Sequence, residues 1–220
     1  MIDTISTSIS DLMSKPFRSV VLKSLGLTII LLAAALFAIP LMAANTGFSP
    51  FPYSDVIFAW IAGIGTFFAM SYLIVPITAL FAGLFLDQIA DVVEKQHYPH
   101  RPKGVAMPFA SSLWVGVKFT LIVLVSNIVL LPFIFLGGLG LVLIYLVNGY
   151  LLGREYFELA ALRHHNVEDV KHLRAQNQML IYGAGLLIAF CATIPYLNLF
   201  VPVFATSLLV HIYHKTAPNA

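Results

Sequence analysis

Charge is what this sequence has least of. Only 10% of its 220 residues are Asp, Glu, Lys or Arg, whereas 60% are hydrophobic and the mean hydropathy is +0.91. Soluble domains carry about 25% charged residues, so the shortage excludes a soluble globular protein and points to an integral membrane protein. Cysteine is almost missing as well. Cys191 stands alone inside an apolar stretch, so there is no disulfide framework, and it reads as a small buried apolar residue. The formal net charge of +2 is too small to attract nucleic acid. No Walker-type loop, nucleophile elbow or dinucleotide fingerprint occurs, so neither an enzyme nor a cofactor is expected.

The missing charges are concentrated in four runs, at 24–44, 56–86, 119–153 and 175–210. The last is about 36 residues long. As one helix it would reach ~54 Å, against a hydrocarbon core of ~30 Å. It is too long for one span and slightly short for two with a turn. Its middle reads IPYLNLFVP at 194–202, where Pro195 and Pro202 break the helical ladder and Asn198 suits a turn. These features predict a helical hairpin that enters the bilayer and returns to the side it came from. The run 119–153 repeats the arithmetic, with Pro132 near its centre and GGLG at 137–140. Irregular backbone at such depth needs protein or water over it, so the rest of the chain is expected to cover these hairpins.

The loop 45–55, NTGFSPFPYSD, lacks any Lys or Arg, whereas both termini and every other connection carry basic residues. The positive-inside rule places that loop outside and the rest in the cytoplasm. Both long runs at 119–153 and 175–210 must then enter and leave on one side. The expected fold is an all-α integral membrane protein with two transmembrane helices, two partly penetrating (re-entrant) hairpins and a cytoplasmic amphipathic helix. Its single domain divides into an amphipathic N-terminus at 1–23, a first span at 24–44 and the outer loop at 45–55. A second span follows at 56–86 with an extension to about 98, then a hairpin at 113–153, a surface helix at 154–175 and a second hairpin at 176–213.

Local signals fill in this frame. Ile2, Ile5, Ile9, Leu12 and Met13 recur at helical spacing, predicting a short interfacial helix, and Pro16 marks the start of the next. Asp87, Asp91, Glu94 and Lys95 share one helical face, which reads as the second span continuing into water and stopping before Pro99. Within 154–175, Arg154 and Glu158 are spaced i, i+4, and a break is expected near Asn166. His164 and His165 are adjacent, and His211 and His214 are at i, i+3, yet no carboxylate or cysteine accompanies either pair at ligand spacing. No metal site is therefore expected.

Three stretches together resemble the CysZ-type sulfate permeases, whose broader family includes the etoposide-induced membrane proteins. They are IPYLNLFVPVFAT at 194–206, NGYLLGREYFELAALRH at 148–164 and SKPFRSVVL at 14–22. The resemblance implies two spans plus two partly penetrating hairpins, assembled as a homo-oligomer in the bacterial inner membrane. It implies uptake of sulfate, or a similar oxyanion, for cysteine synthesis. The family's anion site lies at the start of the first membrane helix, where Gly-Leu/Ile-Arg-Arg is usual. The matching positions here are Pro16, Phe17, Arg18 and Ser19, so one Arg is kept and the second is a Ser.

Sulfate is a dianion, and binding it needs several donors: helix N-terminal N–H groups plus Arg or Lys. Lys15, Arg18 and Ser19 lie where a helix N-terminus is expected, either as an anion site or as topology determinants touching anionic lipid. Asn127, Asn148 and Asn198 are among the few polar side chains available to line a route; hairpin turns or helix-to-helix hydrogen bonds are the alternative. Arg154, Glu155 and Glu158 are placed to gate the cytoplasmic mouth or to form surface ion pairs. Drawing a dianion inward costs roughly 4.6 kcal/mol per 100 mV of inside-negative potential. With no nucleotide site, transport is expected to be passive or ion-coupled. A chain this small and apolar cannot enclose a wide polar route alone, which favours an oligomer. A non-transporting membrane scaffold of the same fold is the other class of function this sequence admits.

Overall fold

A computed structural model describes residues 2–44, 85–106 and 108–217. The outer loop at 45–55 and all but the last residues of the expected second span at 56–86 lie outside the described residues. The regular structure among the described residues is all helical, with no strand. The helices are α1 (Ile2–Leu12), α2 (Lys15–Ala44), α3 (Leu86–His97), α4 (Phe109–Leu130), α5 (Gly138–Ala161), α6 (Val167–Gln176), α7 (Gln178–Thr193), the single turn α8 (Pro195–Asn198) and α9 (Val201–Thr216). A 3-10 turn, Leu131–Leu136, joins α4 to α5.

The organising element is α9. Every residue from 201 to 214 is buried, from Val201 through the fully covered Val203, Leu208, Leu209 and Tyr213 to His214. Helices α1, α3, α5 and α7 all contact it. The arm that returns from the second midpoint is thus jacketed by protein. The hairpin itself turns at Ile194–Phe200, where Ile194 leaves the helical region and Pro195 restarts it as the single turn α8.

By length and composition, one described helix can cross a membrane, residues Lys15–Ala34 of α2. The pair α6 and α7 qualifies together but bends by 87° at Asn177, which makes it a broken span or a re-entrant element. The bend separates a polar helix from an apolar one. Asn166 caps α6, accepting from the Asp169 N–H at 3.0 Å, and supplies the break expected near this residue. Residues 154–161 continue α5, and the second half of the polar block forms α6.

Two faces turn the opposite way from their sequence patterns. On α1, the stripe Thr4, Ser8 and Asp11 is buried, whereas Ile9 is half exposed and Met13, just past its end, more so. The polar side is the inner one, and part of the apolar stripe looks outward, as suits a helix lying against lipid. On α2, Ser24 and Thr28 face inward with Phe17 and Val20, and each hydroxyl donates to the carbonyl four residues back.

Helices α5 and α7 meet through glycine. A Cβ placed on Gly185 would lie 2.0 Å from the Gly149 carbonyl oxygen and 2.8 Å from the Gly153 Cα. The backbones touch because nothing stands between them. In a bilayer, where lipid is as apolar as leucine, such close approach is the main source of helix attraction.

Candidate functional site

A cluster of charged and imidazole side chains forms where α3 and the ends of α5 and α9 meet α1. Arg163, two residues past the end of α5, is the hub. Its guanidinium, 1% exposed, donates to Asp87 at 2.6 Å, to Asp91 and to Glu94 at 3.3 Å. The i, i+4, i+7 spacing of the three carboxylates puts them on one face of α3, and the guanidinium fork is flat and wide enough to reach them all. Helix α3 ends before Pro99, as its sequence predicts; Asp87 and Asp91 pair with Arg163 while staying about a third exposed, Glu94 is buried, and Lys95 is exposed.

Glu94 is the deepest of the three. Its Oε2 accepts the Gly104 N–H at 3.3 Å, and its Oε1 lies 3.0 Å from His164 Nε2. Burial works against its ionisation, but the His164 hydrogen bond and the Arg163 charge prevail and hold the carboxyl at about 2. His214 Nε2 approaches the same oxygen at 4.0 Å, and burial lowers that imidazole to about 4.

A second hub lies beside the first. Asp11 of α1 faces His97 Nε2 at 2.9 Å and His211 Nε2 at 3.1 Å, and accepts from the Ser207 hydroxyl at 2.8 Å. The Tyr98 hydroxyl meets the other nitrogen of His211 at 2.9 Å. Burial opposes the Asp11 charge; the bonds from His211, His97 and Ser207 outweigh it and lower the carboxyl below its ordinary value. This hub ties both ends of the described chain together.

The residues singled out from sequence fall into four places. Lys15, Arg18 and Ser19 lie with Leu22 and Lys23 around one shallow, widely open hollow, formed by a single outer face of the first turns of α2. That first turn holds no acidic residue. Asn127 and Asn148 face each other across the first hairpin and exchange hydrogen bonds of 3.2 and 3.1 Å. Asn198 closes the turn α8 at the tip of the second hairpin. Arg154 donates to Glu158 at 2.9 Å, and Arg174 from α6 pairs with the same carboxylate.

Glu155 differs from its neighbours: its buried Oε1 has no hydrogen-bond partner among the described residues. Burial, aided by the Glu158 charge and opposed by Arg154 and Lys118, raises it to about 7. A carboxyl raised in the fold resists ionisation there, so stability is greatest below its unfolded value of 4.5 and is lost as pH rises to about 7. Glu155→Gln is therefore expected to raise Tm in detergent at pH 8 and to leave it nearly unchanged at pH 4. An equal Tm difference at both pH values would remove this account.

Sequence reasoning missed both hubs. It placed the carboxylates of α3 in water and found none near the histidines, because Asp11, Glu94 and the histidines lie 70 to 200 residues apart in sequence. The local signal was polar residues at helical spacing, Thr4–Ser8–Asp11 and Ser207–His211–His214.

A family model described as EI24, sulfate transporter CysZ/etoposide-induced protein 2.4, matches residues 5–202. No curated protein matches the chain.

Proposed function

The chain belongs to the EI24 family, whose description includes the CysZ sulfate transporters, and from that premise we propose that it is an oxyanion permease, with sulfate as its main substrate. It works in the bacterial inner membrane as a homo-oligomer with both termini in the cytoplasm, feeds sulfur assimilation, and uses no nucleotide hydrolysis. The observation that carries this reading is the hollow at the start of α2. Lys15, Arg18 and Lys23 line it, no carboxylate does, and the helix N-terminus adds its own positive end. Lys15 and Arg18 are exposed and thus free to meet an incoming dianion. Ser19, at the position of the family's second Arg, supplies a neutral hydroxyl in place of a charge.

Beyond that hollow, the Asn127–Asn148 pair offers amide groups between the arms of the first hairpin, and Asn198 does so at the tip of the second. Arg154, Glu155 and Glu158 gate the polar end. The broad apolar exposure of the first hairpin, with Phe135 92% exposed and Leu139 74%, provides surface for lipid and for other copies.

Sulfate binding to purified protein tests the reading. A charge-assisted hydrogen bond contributes about 1.5–3 kcal/mol, and exposure brings Arg18 to the lower end. Arg18→Ala is expected to weaken sulfate about tenfold in calorimetry at low salt. Unchanged affinity in Arg18→Ala would refute the assignment of the hollow. Absence of sulfate binding by the wild type, together with co-purifying membrane partners, would favour the scaffold instead.

A further inference from the structure

The Glu94 hub contains more than an ion-pair network needs. His214 is 3% exposed, and neither of its ring nitrogens has a hydrogen-bond partner among the described residues. Leaving a buried imidazole unpaired on both sides is costly, and native structures rarely do it. Its Nε2 is aimed at Glu94 Oε1, 4.0 Å away, and His164 Nε2 stands 3.0 Å from that same oxygen. One ligand atom from each of Glu94, His164 and His214 lies within 4.8 Å of the other two. The edge of a tetrahedron with bonds of ~2.05 Å is about 3.3 Å, so closing the widest gap within 4.8 Å takes about 1.5 Å, shared between two side chains.

We propose that Glu94, His164 and His214 form a binding site for a zinc-class divalent metal ion, which fastens the C-terminal end of α9 to α3 and to the connection after α5. This inference stands independently of the transport reading.

Two imidazoles and one carboxylate select borderline transition ions over calcium or magnesium, which prefer oxygen throughout. Outer groups hold the ligands in place. Gly104 N–H and Arg163 fix the Glu94 carboxylate, while Tyr213 stacks on His164 at 4.9 Å and Tyr98 on His214 at 4.1 Å. The Arg163 charge beside the site is met by Asp87 and Asp91. With Arg101, which turns to the Ala217 carbonyl, and with Asp3 and Lys215 of the adjoining hollow also counted, four carboxylates face three cations. A hollow of about 360 Å³, lined by Asp3, His97, Tyr98, His211, His214 and Lys215, leads from the surface to His214.

The neighbouring trio of Asp11, His97 and His211 meets the same distance test, yet has no need of an ion. Each Asp11 oxygen already takes an imidazole N–H, and the free nitrogen of His211 meets the Tyr98 hydroxyl. That arrangement is complete with protons alone.

The test uses full-length protein in detergent, stripped with chelator and titrated with Zn2+ alone, then with Co2+ for its visible absorption. The expected result is one ion per chain, a rise in Tm on adding Zn2+, and Co2+ bands of a low-symmetry nitrogen–oxygen site. His214→Ala and His164→Ala are each expected to weaken binding at least tenfold, the order of loss seen when metal-site residues are removed. His211→Ala is expected to keep both the ion and the Co2+ spectrum. Two separate ligand variants guard against one failing to fold. Wild-type protein that takes up no stoichiometric ion would overturn the proposal. So would binding that survives His214→Ala and His164→Ala but disappears in His211→Ala, since it would place the ion at Asp11.

Discussion

Arg163→Ala is expected to destabilise the protein by roughly 3–5 kcal/mol, the range found when one partner of a buried ion pair is removed. The substitution leaves Asp87, Asp91 and Glu94 crowded on one face of α3, with Glu94 only 5% exposed. Their mutual repulsion then lacks its central cation, and Glu94 keeps the His164 and Gly104 hydrogen bonds but loses the Arg163 charge that helps hold it ionised. A large drop in Tm in detergent, with broadened size-exclusion profiles, would register this. Arg163→Lys should recover only part of the loss, since one ammonium cannot span three carboxylates. Breaking the exposed Lys171–Glu168 pair on α6 is the control, and no measurable change is expected there. A wild-type Tm for Arg163→Ala would mean that the carboxylates are hydrated and that the hub is not structural.

Gly185→Leu is expected to be the second most damaging change. Even the first carbon of the new side chain would lie 2.0 Å from the Gly149 carbonyl oxygen and 2.7 Å from the Gly153 nitrogen. Those are backbone atoms, so relief requires separating α5 from α7 along the whole seam. Overpacking a tight core costs roughly 1–3 kcal/mol, and this contact belongs at or beyond the upper end because no rotamer escapes it. Gly26→Ala on α2 meets nothing within 4 Å and is the matched control. Thermal unfolding in detergent, compared across the two variants, gives the answer: a pronounced loss for Gly185→Leu and little change for Gly26→Ala. Equal Tm values would show that the seam is looser than the backbone distances imply.

The parts of the fold that could be read in advance are those governed by local arithmetic. Pro16 announced the start of α2, Pro99 bounded α3, and Asn166 marked the cap of α6. The turn at 194–200 follows from Pro195 within a run too long for one span. What eluded sequence was the facing of polar side chains. In water, polar positions look outward by default, so Asp87, Asp91 and Glu94 read as a solvated face. Beside a membrane that default fails, because apolar side chains such as Ile9 and Met13 are as well placed against lipid as inside. Thr4, Ser8 and Asp11 could then turn inward to Ser207 and His211, a pairing nearly the length of the chain apart.

The α5–α7 seam was half legible. Gly149 and Gly153 are spaced for close helix contact, as small residues four apart commonly are in membranes. Their partner Gly185 could be identified only once the hairpins were seen side by side. For the proposed anion site, Lys15, Arg18 and Ser19 follow from the helix start and the family resemblance. The structure adds that they share one hollow with Lys23.

Uptake of radiolabelled sulfate into sealed vesicles containing the full-length protein tests the transport claim most directly. The account predicts flux well above that of empty vesicles, suppressed by excess selenate more than by chloride, and reduced by Arg18→Ala. Sulfate uptake no faster than in empty vesicles, from protein that remains folded and correctly sized, would contradict it.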